Sequence, residues 1–193
     1  MASATPSVDR YSIAIDNYTD GTYQKNGSIA MGGYINRTAY CWQMLVYWTS
    51  GLGISAGSTV TDVTFDMNFD TVAADAAAHN FYVYAQNHGT WTDTGSAPVW
   101  NTFDLPASPA LWDTTLSTTS LTATVGTKSI PSNAATVAHV QSYVDGTYPA
   151  GNYKGLIFGY DTAYFGYKVT VSSVTMTITY TSGGTTRRRI IIM

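Results

Sequence analysis

The stretch Val60-Thr61-Asp62-Val63-Thr64-Phe65-Asp66-Met67-Asn68-Phe69-Asp70 decides the fold. From Val63 onward every second residue is apolar (Val63, Phe65, Met67, Phe69), and Thr64, Asp66, Asn68 and Asp70 fill the gaps. A period of two belongs to a strand with one buried and one wet face. A second stretch repeats the pattern: Val174, Met176, Ile178 and Tyr180 alternate with Thr175, Thr177, Thr179 and Thr181. Two such strands, far apart in the chain, each offer an apolar face, and together they imply one sandwich core.

Composition points the same way. The chain of 193 residues contains no glutamate, all twelve acidic residues are Asp, and Tyr and Thr are abundant. Asp favours turns over helices, while Thr and Tyr favour strands. A chain of this length buries about 70% of the surface its unfolded form exposes, so one domain without disulfide staples is expected. Cys41 is the only cysteine and forms no intrachain disulfide; between Tyr40 and Trp42 it reads as a small core residue. A net charge of -3 gives no general reason to expect nucleic-acid binding, although Arg187, Arg188 and Arg189 sit together. The first residues lack the basic start and apolar run of a secretory signal, and no apolar stretch approaches the roughly 20 residues that span a bilayer. The expectation is a soluble chain that is not exported and has no membrane partner.

Working outward from residues 60–70, strands are expected at 11–15, 28–35 and 39–49, with turns at Asp20-Gly21 and Asn26-Gly27, pairs that accept positive φ. Gly51, Gly53 and Gly57 break the chain before the deciding strand. Beyond it, the Ala-rich segment 71–78 suggests a helical turn, and a strand resumes at 80–85. A long loop, 86–116, carries Trp91, Trp100 and Trp112, whose number favours packing. Leu121, Ala123 and Val125 alternate with Ser120, Thr122 and Thr124 in a short strand. Residues 132–144 form the one expected helix: Pro131 and Ser132 supply a start, Val137, Val140 and Val144 lie at helical spacing, and Asp145-Gly146 supplies a stop. Strands follow at 155–160, 164–171 and 174–181. Residues 1–10 read as an N-terminal arm, 11–182 as the sandwich, and 183–193 as a Gly-Gly linker with a basic and apolar tail.

This order of parts resembles the DNRLRE-type jelly-roll domains related to carbohydrate-binding modules. The matching pieces are Arg37 to Tyr47, Ile54 to Val60 leading into the deciding strand, Phe81-Tyr82-Val83-Tyr84 followed by Trp91-Thr92-Asp93, the helix before Gly155-Leu156-Ile157-Phe158, and the last alternating strand. Asp93 stands where the family has Glu, and the Pro at the start of its last strand is missing here. The resemblance implies an all-β jelly-roll sandwich of two antiparallel sheets with one short helix, of the kind found in surface and virion proteins.

Several residue groups invite a chemical reading. Gly53-Ile54-Ser55-Ala56-Gly57 matches G-x-S-x-G, the nucleophile elbow of α/β-hydrolases, but that elbow needs a helix after it and here a strand follows, so a small-residue turn is expected. His139 falls in the helix and His79 and His88 in loops, which proposes neither a triad nor a zinc cluster. Asp16 and Asp20 offer a calcium ion some of its roughly six to eight oxygens, yet Asp and Gly are ordinary turn residues. Asp66, Asn68 and Asp70 form a polar row that suits a solvated strand face. Trp91, Trp100 and Trp112 are the candidate glycan-binding residues, since flat aromatics stack on sugars, with core packing as the alternative.

The tail is the most specific hint. Arg187, Arg188 and Arg189 precede Ile190, Ile191 and Ile192, a sticky β-branched triplet behind a permissive Gly-Gly. These six are the candidate partner-binding residues, expected to add as a strand to a neighbouring subunit while the arginines pair with carboxylates. With the resemblance, the expectation is a non-enzymatic virion protein of a tailed phage, a capsid decoration or fibre-type component assembled in the host cytoplasm, attached through its termini and displaying the jelly roll outward. Its expected partners are other virion subunits, itself included, and a surface glycan. No cofactor, metal or nucleic acid is expected. The alternative is a free-standing carbohydrate-binding or adhesion module.

Overall fold

The computed structural model describes residues 1–15, 23–25, 29–35, 39–47, 51–73, 78–85, 115–147, 155–160 and 167–183. Eleven strands and one helix occupy them in the order β1 (Ala2–Ala4), β2 (Asp9–Ile15), β3 (Tyr23–Lys25), β4 (Ile29–Ile35), β5 (Ala39–Tyr47), β6 (Thr59–Ala73), β7 (Ala78–Ala85), β8 (Thr115–Thr122), β9 (Gly126–Ile130), α1 (Ala134–Val144), β10 (Gly155–Tyr160) and β11 (Tyr167–Thr181). All strand pairings are antiparallel.

Eight of the strands divide into two sheets of four, β4-β11-β6-β9 and β5-β10-β7-β8, joined where β4 pairs with β5. That is the strand order of a jelly roll, in which two Greek keys lay one sheet over the other. The sheets meet through their apolar faces. Phe65 of β6 and Phe158 of β10, which share no backbone pairing, bring their rings to 5.1 Å edge to face, and Phe81 of β7 stands 5.9 Å from Phe158. β2 and β3 extend the second sheet beyond β5, and β1 lies against β11. Within the expected arm, therefore, Ala2–Ala4 pair with Ile178–Tyr180 and Asp9 and Arg10 already belong to β2.

The two deciding strands are direct neighbours: Val63 faces Ile178, Phe65 faces Met176 and Met67 faces Val174. All six are buried. The period of two is reset at each end by a bulge. Near the start of β6, Asp62 pairs with Thr179 and Val60 with Tyr180, so Thr61 is the extra residue. Val60 and Val63, three apart, thus both turn inward. At the other end Asp70 and Ser172 are both unmatched in the register, and Val171 and Val174 both turn inward.

Several expectations are corrected. Residues 71–73 continue β6 and residue 78 opens β7, because Thr71 and Val72 still find partners on β11. Of the two strands expected at 164–171 and 174–181, the described residues form the single β11, which runs through the gap with Ser172 as an unmatched residue. Thr115 and Leu116, expected to close the long loop, belong to β8, and residues 86–114 lie outside the described residues. Val125 is 65% exposed, as β8 has ended at Thr122 and the chain is turning into β9. His79 lies in β7 opposite Leu121, outside any loop. The helix begins at Ala134, two residues late, because Asn133 is the cap: its Oδ1 accepts from Ala135 N–H at 2.9 Å and Thr136 N–H at 3.0 Å. Ser132, expected to start the helix, accepts instead from the backbone N–H of Val63 at 2.9 Å.

The helix stop works as expected. Gly146 at φ 67° lets its N–H reach the Tyr143 carbonyl and the N–H of Thr147 reach that of Ser142, a Schellman motif. Thr136, Val140 and Val144 face inward, and α1 contacts both β6 and β8, one strand from each sheet. The helix therefore closes the sandwich along the side where the sheets end in β9 and β8. Among the described residues no helix is long and apolar enough to cross a membrane.

Candidate functional site

Residues 51–58 carry the chain into β6, and three of their glycines sit at positive φ: Gly51 at 78°, Gly53 at 68° and Gly57 at 80°. The Ser58 N–H donates to the Ser55 carbonyl at 3.2 Å, closing a tight turn. Ser55 is exposed on that turn, and a strand follows it. The G-x-S-x-G match is thus turn material at this point of the chain. Its effect is to set Ser58, only 2% exposed, at the start of β6.

From Thr59 to Thr64 the outer edge of β6 has run past the end of β9, and α1 covers it. Gln141 does this with one side chain: the Val60 N–H donates to its Oε1 at 2.7 Å, and its Nε2 donates to the Ser58 carbonyl at 3.0 Å. The carboxamide thereby offers the strand one donor and one acceptor, as a neighbouring peptide group would. Its Nε2 also meets Asp145 Oδ1 at 2.9 Å. With Ser132 on Val63, two N–H groups of this edge, those of Val60 and Val63, are satisfied by side chains.

Above that edge lies an open groove of about 510 Å³ between the start of β6 and α1. Its floor is apolar, from Val60, Val137, Ala134 and Ala138, with Asp145 at one end. Ala134 and Ala138 are exposed at a spacing of four, so the helix presents methyl groups on its groove side.

The last described residues lie against the same place. The Gly183 N–H donates to Ser58 Oγ across a long 3.4 Å, and a methyl group on Gly183 would run into the carbonyl of Gly57. Only glycine permits this approach. The chain thus arrives at Gly57 and Ser58, two residues that line the groove, immediately before residues 184–193.

The polar row on β6 is taken up by contacts between strands. Ser172 Oγ donates to Asp70 Oδ1 at 2.7 Å, and Asn68 Nδ2 donates to Asp70 Oδ1 at 2.7 Å and to Ser172 Oγ at 3.0 Å. Ser129 of β9 donates to Asp66. Asn68, Asp70 and Ser172 tie the double bulge together, and Asp66 ties β6 to β9. His139 lies on α1. Among the described residues no group of three or more His, Cys, Asp or Glu side chains is placed to hold a metal ion.

The remaining expectations fall elsewhere. Trp91, Trp100, Trp112, His88, Asp16, Asp20, and the tail residues Arg187 to Ile192 lie outside the described residues. The groove was not foreseen from sequence. The available signal was Ala134 and Ala138 on one helix stripe, small residues that invite something to approach. The chain matches no protein-family model and no curated protein sequence.

Proposed function

We propose that this chain is a non-enzymatic structural protein of a virion, a capsid decoration or fibre-type component of a tailed phage, held to its neighbours by the segment after Gly183 and displaying its jelly roll outward. The observation that carries this reading is the pairing of Ala2 with Tyr180. It places the exposed Met1 beside the end of β11, so the first and last described residues leave the sandwich from one side. A module gripped from that side leaves its opposite end and both outer sheet faces available for display. Supporting the reading are the resemblance to jelly-roll domains of surface and virion proteins and the Arg-Arg-Arg-Ile-Ile-Ile sequence that follows the exit point. Such a sequence combines charge that pairs with carboxylates and apolar bulk that seeks a partner surface.

The test is co-sedimentation with particles purified from the same source. The full chain is expected to travel with them, and a chain lacking residues 185–193 is expected to remain in the supernatant while keeping its far-ultraviolet circular dichroism. Undiminished binding by the shortened chain would overturn attachment through the tail.

A further inference from the structure

We propose that the outer edge of β8 is a self-association surface, on which β8 of a second copy pairs antiparallel about a twofold axis normal to the sheet, so that one sheet runs unbroken through both copies. This surface does not depend on attachment through the tail.

Three observations carry it. First, the two sheets end in β8 and β9, and these edges are protected differently. β9 has five residues and points Lys128 inward: it pairs with the buried Met67, its Nζ stands 6.0 Å from the centre of the Phe69 ring, and it donates to Thr124 Oγ1 at 2.7 Å. A short strand with an inward charge is one of the devices that keep a sheet edge from pairing with another chain. β8 is eight residues long and has no charged residue, proline or glycine. Among the described residues it is paired on one side only, by β7, and its one irregularity, the extra residue Leu116, lies near its start. α1 also meets β8. The helix, however, sits at the Val60 end of β6, while β8 runs out towards β9, whose Gly126 pairs with Phe69 far down the same strand. The second half of β8 lies away from the helix, and there Thr118, Ser120 and Thr122 are exposed.

Second, the strand suits its own copy. Thr115-Leu116-Ser117-Thr118-Thr119-Ser120-Leu121-Thr122 reads the same in both directions. Opposed side chains share a face of the sheet only when a residue lies on the twofold axis. With Thr118 or Thr119 there, the three central pairs set a Thr or Ser hydroxyl against another, a favourable cross-strand pair, and no like charges meet. The contact is closed and isologous, as a twofold dimer requires.

Third, an apolar group faces solvent on the same side. Val125, in the link from β8 to β9, is 65% exposed, and it and Met1 are the exposed large hydrophobic residues among those described. Exposed apolar groups mark surfaces that a partner covers.

The experiment is sedimentation of the full chain over a dilution series, beside two double variants and the chain lacking residues 185–193. Thr118→Lys with Ser120→Lys, or Thr118→Glu with Ser120→Glu, changes exposed side chains and sets like charges opposite each other across the axis. The parent is expected to dimerise. Each double variant is expected to associate at least about tenfold more weakly, with unchanged circular dichroism. An equimolar mixture of the Lys and Glu chains is expected to dimerise again, because each strand then meets the opposite charge. The shortened chain is expected to dimerise like the parent. A parent that stays monomeric at every concentration overturns the proposal, as do double variants that associate like the parent or a mixture that stays monomeric. Association lost with residues 185–193 also overturns it, and that result assigns self-association to the tail and leaves attachment through the tail standing.

Discussion

The side-chain amide of Gln141 stands in for a strand: it accepts from the Val60 N–H at 2.7 Å while giving its own N–H to the Ser58 carbonyl at 3.0 Å. The residues are 81 positions apart. A sheet edge that has outrun its neighbour is open to pairing with any passing chain, and natural proteins cover such edges. Here α1 covers it with a residue that also lines the groove, so edge protection and the shape of the groove depend on the same contact.

Replacing Gln141 by Leu keeps a side chain of similar size and removes its three hydrogen bonds, to Val60, Ser58 and Asp145. The Val60 N–H and the Ser58 carbonyl then lose their partner in a partly buried place, where an unmade hydrogen bond costs about 1–3 kcal/mol. Gln141→Glu restores an acceptor for Val60 but no donor for Ser58, and it sets a second carboxylate beside Asp145. Urea denaturation is expected to show both variants destabilised. A loss below about 0.5 kcal/mol for Gln141→Leu would show that water replaces the amide without cost.

The double bulge predicts non-additivity. Asp70, Asn68 and Ser172 form a closed triangle of hydrogen bonds at the point where both β6 and β11 carry an unmatched residue. Asp70→Ala removes two of its three sides, including bonds to a charged group worth about 1.5–3 kcal/mol each when well made. Once Asp70 is gone, Ser172→Ala has only the Asn68 contact left to remove. The double-mutant cycle is expected to give a coupling of about 0.5–3 kcal/mol between the two sites, measured by urea denaturation. Strict additivity would mean that backbone twist alone holds the bulge.

Much of the fold was legible because burial imposes a period, and legibility fails where burial does not reach. β6 and β11 declare themselves through Val63, Phe65, Met67 and Phe69 and through Val174, Met176 and Ile178, all on one buried face. β9 was missed: its Gly-Thr-Lys-Ser-Ile contains one buried apolar residue, Ile130, and the strand lies at a sheet edge. Ser172-Ser173 read as a gap between two strands because a bulge interrupts alternation just as a loop does. Val60 stands outside the alternation that begins at Val63 because Thr61 is an extra residue between them. The candidate site was less legible still. A glutamine and two alanines in a helix carry no mark of the strand they will meet, and the approach of Gly183 to Gly57 is a long-range fact that neither local sequence announces.

The helix caps make a smaller prediction with a built-in control. Asn133→Ala removes the acceptor that two first-turn N–H groups share and is expected to cost about 1 kcal/mol, while Asn133→Ser keeps an acceptor and is expected to cost less. At the other end Gly146→Ala forces a side chain to φ 67°, a conformation that costs about 1–2 kcal/mol. The two ends share no partner, so their losses in thermal or urea unfolding are expected to add.

Gly183 offers the sharpest separation of folding from docking. A methyl group there meets the backbone carbonyl of Gly57, where no flexible side chain exists to move aside. The last paired residue of β11 is Thr181, opposite Thr59, so the sheet itself ends before the clash. Gly183→Ala is therefore expected to push the chain end off Gly57 and Ser58 while the sandwich stays intact, lowering stability by no more than the roughly 1–3 kcal/mol typical of overpacking. Ser182→Ala, at an exposed neighbour with no such contact, is the control. If the exit point at Gly57 and Ser58 positions the tail, Gly183→Ala weakens co-sedimentation with particles and Ser182→Ala leaves it unchanged. Equal particle binding by both would mean that the tail finds its partner regardless of where it leaves the domain.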